Sequence, residues 1–149
     1  MGAQRGFVIM DTAPTGHTLL LLDTTGAYHR QIMQRSEGSG ARMRTPLMML
    51  QDPDYTKVLI VALAETTPVL EAASLQEDLR RAAIEPFAWV INASLAAAKP
   101  TDPVLRARAA AEIAQFENVR TRYAQRIACV PFQAEEPIGA GRLLELSRA

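Results

Sequence analysis

The chain has 149 residues, 48% of them hydrophobic and 21% charged, proportions that fit one folded domain over residues 1–149 and exclude wholesale disorder. Sixteen basic and sixteen acidic residues cancel, so the basic excess that nucleic acid or an anionic membrane requires is absent, and no nucleic-acid partner is expected. The longest apolar run, Val58 to Ala64, is far short of the ~20 residues that cross a bilayer, and the start shows no signal-peptide pattern, so the expected location is cytoplasmic.

Phe7-Val8-Ile9-Met10 reads as a buried parallel strand. The residues after it, Asp11-Thr12-Ala13-Pro14-Thr15-Gly16-His17-Thr18, cannot continue it: Pro14 fixes one backbone angle, Gly16 permits conformations closed to other residues, and Thr18 can cap a helix begun by Leu19 to Leu22. A carboxylate, Asp11, between a strand end and a helix N-terminus points to Mg²⁺ and phosphate, while a plain turn would need the same residue types. Ser36 to Arg42, with two glycines and two serines, reads as a mobile loop. Pro46 then opens a short apolar helix that Asp52-Pro53 closes. The methionines of this region, Met33, Met43, Met48 and Met49, are core fillers or a soft face for an apolar partner.

Lys57 to Leu63 is the clearest strand, apolar on both faces as a strand covered by helices on both sides must be. A helix follows, with Thr66 or Thr67 as cap and Val69, Leu70, Ala73, Leu75, Leu79 and Ala82 near helical spacing. The third strand, Phe87 to Ile91, ends at Asn92, whose amide is either a local turn former or a paired donor and acceptor that suits an adenine edge. Lys99 to Pro103 is a loop with capping residues. Val104 to about Arg122 form a long helix whose charges, including Arg106, Arg108, Glu112 and Glu117, read as a solvated face. The fourth strand, Ile127 to Val130, carries the single cysteine, Cys129, which excludes an intramolecular disulfide and reads as a buried thiol. Pro131-Phe132 follow it, and Gly139 to Leu146 make a short closing helix. Strands and helices alternate throughout, which argues for a parallel α/β sheet with right-handed crossovers.

Two stretches resemble a known family. The run Asp11 to Leu19, continuing through Leu20-Leu21-Leu22-Asp23 to Gly26-Ala27-Tyr28-His29-Arg30, closely resembles the switch II signature of the arsenical pump-driving ATPases, and Ala64 to Ala72 closely resembles another segment of the same family. The resemblance implies a three-layer, Rossmann-like α/β/α fold of the P-loop NTPase class, with ATP and Mg²⁺ as cofactors and As(III) or Sb(III) as effector. It further implies that Asp11 helps hold Mg²⁺ through water, that Gly16 lies in the loop sensing the γ-phosphate, and that His17 lies toward the metalloid. Asn92 would contact the adenine, and Pro131 and Phe132 would form an apolar wall over the base. Implied partners are a membrane arsenite efflux subunit, at which the ATPase sits peripherally, and the other half of a duplicated ATPase.

A P-loop needs Gly-x-x-x-x-Gly-Lys followed by Ser or Thr, and these 149 residues contain none; the two lysines, Lys57 and Lys99, stand before a strand and before a proline. The resemblance thus corresponds to the later part of one ATPase half and implies a partial sheet lacking the P-loop strand, and hydrolysis by the isolated chain is expected to be negligible. The strand Phe7 to Met10 would lose an interior neighbour, which favours distortion or homo-oligomerisation through an exposed sheet edge. The alternative reading is a non-catalytic protein-interaction module that keeps the fold.

Overall fold

The computed structural model describes residues 6–11 and 46–148. The chain divides into two units, Met1–Met43 and Arg44–Ala149. Of the first, the described residues are Gly6 to Asp11, which have no regular secondary structure. Phe7 is 87% exposed and Met10 82% exposed, so the expected buried strand is not formed here. The physical reason is that an apolar run becomes a strand only when a neighbour supplies the ladder hydrogen bonds, and no described strand pairs with these residues.

The second unit is a three-stranded parallel sheet with helices. Its elements in chain order are α1 (Pro46–Gln51), β1 (Leu59–Ala62), α2 (Thr66–Arg81), β2 (Ala88–Ser94), α3 (Leu95–Ala98), α4 (Pro103–Asn118), β3 (Ile127–Pro131) and α5 (Gly139–Leu146). A five-residue π-helical turn, Val119–Tyr123, extends α4. The strands lie in the order β1-β2-β3, with Ile60 opposite Trp89 and Ile91 opposite Cys129. The expected α/β class and parallel pairing are thus observed.

The layers follow from handedness. Right-handed crossovers β1-α2-β2 and β2-α4-β3 that step the same way across a sheet must place both helices on the same face. That face is the core. Ile60, Ala62, Trp89 and Ile91 point into it and are at most 7% exposed, against Val69, Ala72, Ala73 and Leu79 of α2, Ala109 of α4 and the fully buried Val119. Gln115 Nε2 donates to Thr66 Oγ1 at 3.1 Å, joining the two helices side by side. The opposite face departs from expectation. Leu59 is 52% and Val61 59% exposed, so β1 is apolar on both faces but covered on one.

Trp89 organises the core. Its indole Nε1 donates to Gln76 Oε1 at 2.5 Å, Gln76 Nε2 donates to the Tyr123 carbonyl at 3.0 Å, and the Tyr123 ring stacks on the indole with centroids 5.7 Å apart. Gln76, 2% exposed, is thus a polar residue buried with both ends satisfied, as burial requires. The π-helical turn places Tyr123 over the indole, where a helix continuing unbroken to Arg122 was expected.

Local signals explain most boundaries. Asp102 Oδ1 accepts from the Val104 and Leu105 amides at 2.9 and 3.0 Å, with Pro103 at the first helical position of α4, as its sequence requires. Helix α2 begins at Thr66 with Glu65 as N-cap and no side-chain cap hydrogen bond, so the expected threonine cap is not made. After α2 the chain reverses through Ala83 at φ 58°. There Arg80 grips Glu85 through both carboxylate oxygens and holds that carboxyl below its ordinary range.

Candidate functional site

In open α/β sheets, ligands bind beyond the carboxyl ends of the strands. Asn92 lies toward that rim on β2, and Pro131 and Phe132 lie there at the end of the neighbouring strand β3. Asn92 lies inside β2, which runs on two residues past it to Ser94, so it is not the strand's last residue as expected. Strand alternation puts it after Val90 on the uncovered face, where it is exposed. Its amide makes no hydrogen bond to the described residues. On the neighbouring strand Pro131 pairs in register with Ser94, and the Phe132 amide donates to the Ser94 carbonyl at 2.9 Å. The Phe132 ring is 47% exposed.

Between Asn92 and that pairing the β2–β3 ladder is irregular, and Ala93 takes φ 51°. This left-handed backbone strains a residue with a Cβ by about 1–2 kcal/mol. Glycine tolerates it at an entropic cost of about 0.5–1 kcal/mol. Ala93→Gly is therefore expected to raise stability by about 0.5–1 kcal/mol, read as a higher urea midpoint at unchanged slope.

The turn after Ala93 is held by a side chain that helical spacing assigns to solvent. Glu112 of α4 reaches back to the β2–α3 junction and is not part of a solvated face. Its Oε2 accepts from Ser94 Oγ at 2.8 Å and from the Ala96 amide at 3.1 Å, and its Oε1 accepts from the Leu95 amide at 3.1 Å. Ser94 Oγ in turn accepts from the Ala97 amide at 3.2 Å. Among the described residues no Lys or Arg forms an ion pair with Glu112; its charge is met by backbone N–H groups and a hydroxyl, the stronger class of hydrogen bond. Nothing in the sequence marked it, because the contact spans 16 to 18 residues and depends on where α4 packs.

A cavity of about 300 Å³ opens beside this junction, lined by Ala64, Ser94, Glu112, Ile113, Phe116 and Cys129 among others. Cys129 is exposed there and not buried as expected, because the strand that carries it is the last in the described sheet and the helices cover it incompletely. A second cavity, about 220 Å³, lies at the opposite rim, where Lys57 and Arg126 flank the Phe87 ring at 5.2 and 4.6 Å from its centroid.

Asp11 is exposed, in the first unit. Gly16 and His17 lie outside the described residues. Among the described residues no three His, Cys, Asp or Glu side chains gather to hold a metal. No described helix is long and apolar enough to cross a membrane.

The chain is similar to characterised proteins over nearly its whole length. It is 56% identical over 145 residues to an arsenical pump-driving ATPase of Escherichia coli, covering 97% of this chain and 25% of that protein. It is 58% identical over 144 residues to the arsenical pump-driving ATPase of Acidiphilium multivorum, covering 97% of this chain and 24% of that one. The chain thus spans about a quarter of the length of these relatives. The sequence profile of the anion-transporting ATPases matches residues 23–149. With a parallel α/β sheet and that match over most of its residues, the chain belongs to the anion-transporting ATPase family.

Proposed function

We propose that this chain is the adenine-side and switch II part of an arsenical pump-driving ATPase, which couples ATP hydrolysis to arsenite or antimonite efflux through a membrane subunit. The observation that carries the reading is the rim of the sheet: an exposed Asn92 amide with no hydrogen-bond partner among the described residues, on the strand next to the one that ends in Pro131 and an exposed Phe132 ring. An amide presenting N–H and C=O together matches the acceptor and donor of an adenine edge, and the ring gives the base an apolar surface. In this reading Asp11 answers to Mg²⁺ through water, Gly16 to the γ-phosphate, and His17 to As(III) or Sb(III). Phosphate binding comes from a P-loop that these residues do not contain.

The test is a graft of this chain in place of the matching quarter of the Escherichia coli relative, followed by arsenite-stimulated ATP hydrolysis. The graft is expected to hydrolyse ATP with arsenite stimulation. Asn92→Ala within it is expected to raise the KM for ATP about tenfold with kcat little changed, because the amide binds ground and transition states alike. A folded graft that turns over no ATP overturns the reading.

The second reading, a non-catalytic interaction module, draws on the exposed Leu59 and Val61 and on the unpaired outer edge of β1 in the described sheet. An inactive graft together with concentration-dependent self-association of the free chain would favour it.

A further inference from the structure

We propose that Glu112 is a positioning residue for Asn92, an inference that rests on reading Asn92 as the adenine contact. Asn92 is followed by Ala93 in the left-handed region, a conformation that an alanine does not keep unaided. What keeps it is the far side of the turn. Ser94, 3% exposed, is fastened to β3 through its carbonyl and to Glu112 through its hydroxyl, and the same carboxylate takes the next two backbone N–H groups.

Three donors thus converge on one side chain anchored in the middle of α4, a sixteen-residue helix packed against the core. Removing the carboxylate leaves the Leu95 and Ala96 amides and the Ser94 hydroxyl to find other partners. The junction then keeps the Phe132 amide on the Ser94 carbonyl but loses the three-donor clamp that opposes relaxation of Ala93 from positive φ. Relaxation of that residue rotates the peptide adjoining Asn92 and changes the direction in which its amide is presented. Glu112 touches no ligand in this scheme; it acts through Ala93 and Ser94. Glutamine keeps one acceptor oxygen but brings an N–H₂ to face donors, so it can satisfy part of the set.

The chain itself, labelled with ¹⁵N, serves for the test. ADP and GDP are titrated separately with Mg²⁺, following the side-chain amide signals of Asn92 and the backbone signals of Leu95 and Ala96. In the unsubstituted chain ADP is expected to act at about tenfold lower concentration than GDP, and Asn92→Ala is expected to abolish that preference. Glu112→Ala is expected to bring the ratio to about one and to speed amide exchange at Leu95 and Ala96, while the indole N–H signal of the buried Trp89 stays in place. Glu112→Gln is expected to give an intermediate ratio, and it decides the matter if the alanine variant does not fold. General loosening would weaken both nucleotides equally and leave the ratio unchanged. A preference for ADP that survives in both Glu112 variants overturns this inference alone. An unsubstituted chain that responds equally to the two nucleotides overturns the adenine reading, and this inference with it.

Discussion

Trp89→Ala is expected to lower the unfolding free energy by about 3–5 kcal/mol, the range for truncating a large buried aromatic. Trp89 is 1% exposed and lies in the middle strand of the described sheet, between the core faces of α2 and the π-helical turn. Its removal opens a cavity, ends the stacking on Tyr123, and strands the Gln76 carbonyl oxygen that now accepts the indole proton. Domains of this size are stabilised by only about 5–15 kcal/mol, so the variant should sit near its unfolding midpoint in mild denaturant. Urea titration followed by far-UV circular dichroism measures the loss without relying on the missing fluorophore. A loss under about 1 kcal/mol would mean that the core is not organised on this residue.

The second large effect separates packing from polar satisfaction at the same place. Gln76→Leu keeps the volume nearly constant but leaves the buried Trp89 indole N–H and the Tyr123 carbonyl without their partner. An unsatisfied buried group costs about 1–3 kcal/mol, so a loss of about 2–3 kcal/mol is expected. In a Trp89→Phe background the indole N–H is gone, and the same Gln76→Leu change should be milder by about 1–2 kcal/mol. The double-mutant cycle in urea measures that coupling. Additive losses would show that the hydrogen bond contributes nothing beyond packing.

Gln76 also illustrates the limit of reading residues one at a time. The apolar positions of α2 recur near helical spacing and identify its buried stripe, yet a glutamine within that stripe reads as an interruption. Its partners, Trp89 and the Tyr123 carbonyl, stand 13 and 47 residues away. Glu112 is the same case at the candidate site: among the arginines and glutamates of α4 it looks like one more solvated charge. Cys129 errs in the other direction, since an apolar strand reads as buried wherever it lies, and only strand order shows that β3 is last among the described strands.

Local chemistry by itself determined the strand–helix alternation, the capped start of α4 at Asp102-Pro103, the short helices at Pro46 and Gly139, and the resemblance that family membership now supports. These features depend on side chains within a few residues of one another, so adjacency in the chain is enough to define them. Only the tertiary structure decided that both crossover helices lie on one face and leave Leu59 and Val61 exposed, that Phe7 to Met10 pair with no described strand, and that Glu112 fastens the turn beside Asn92. Each of these depends on which distant segment arrives as a neighbour. A strand without a ladder partner, or a carboxylate without converging donors, is the same string of residues with a different role.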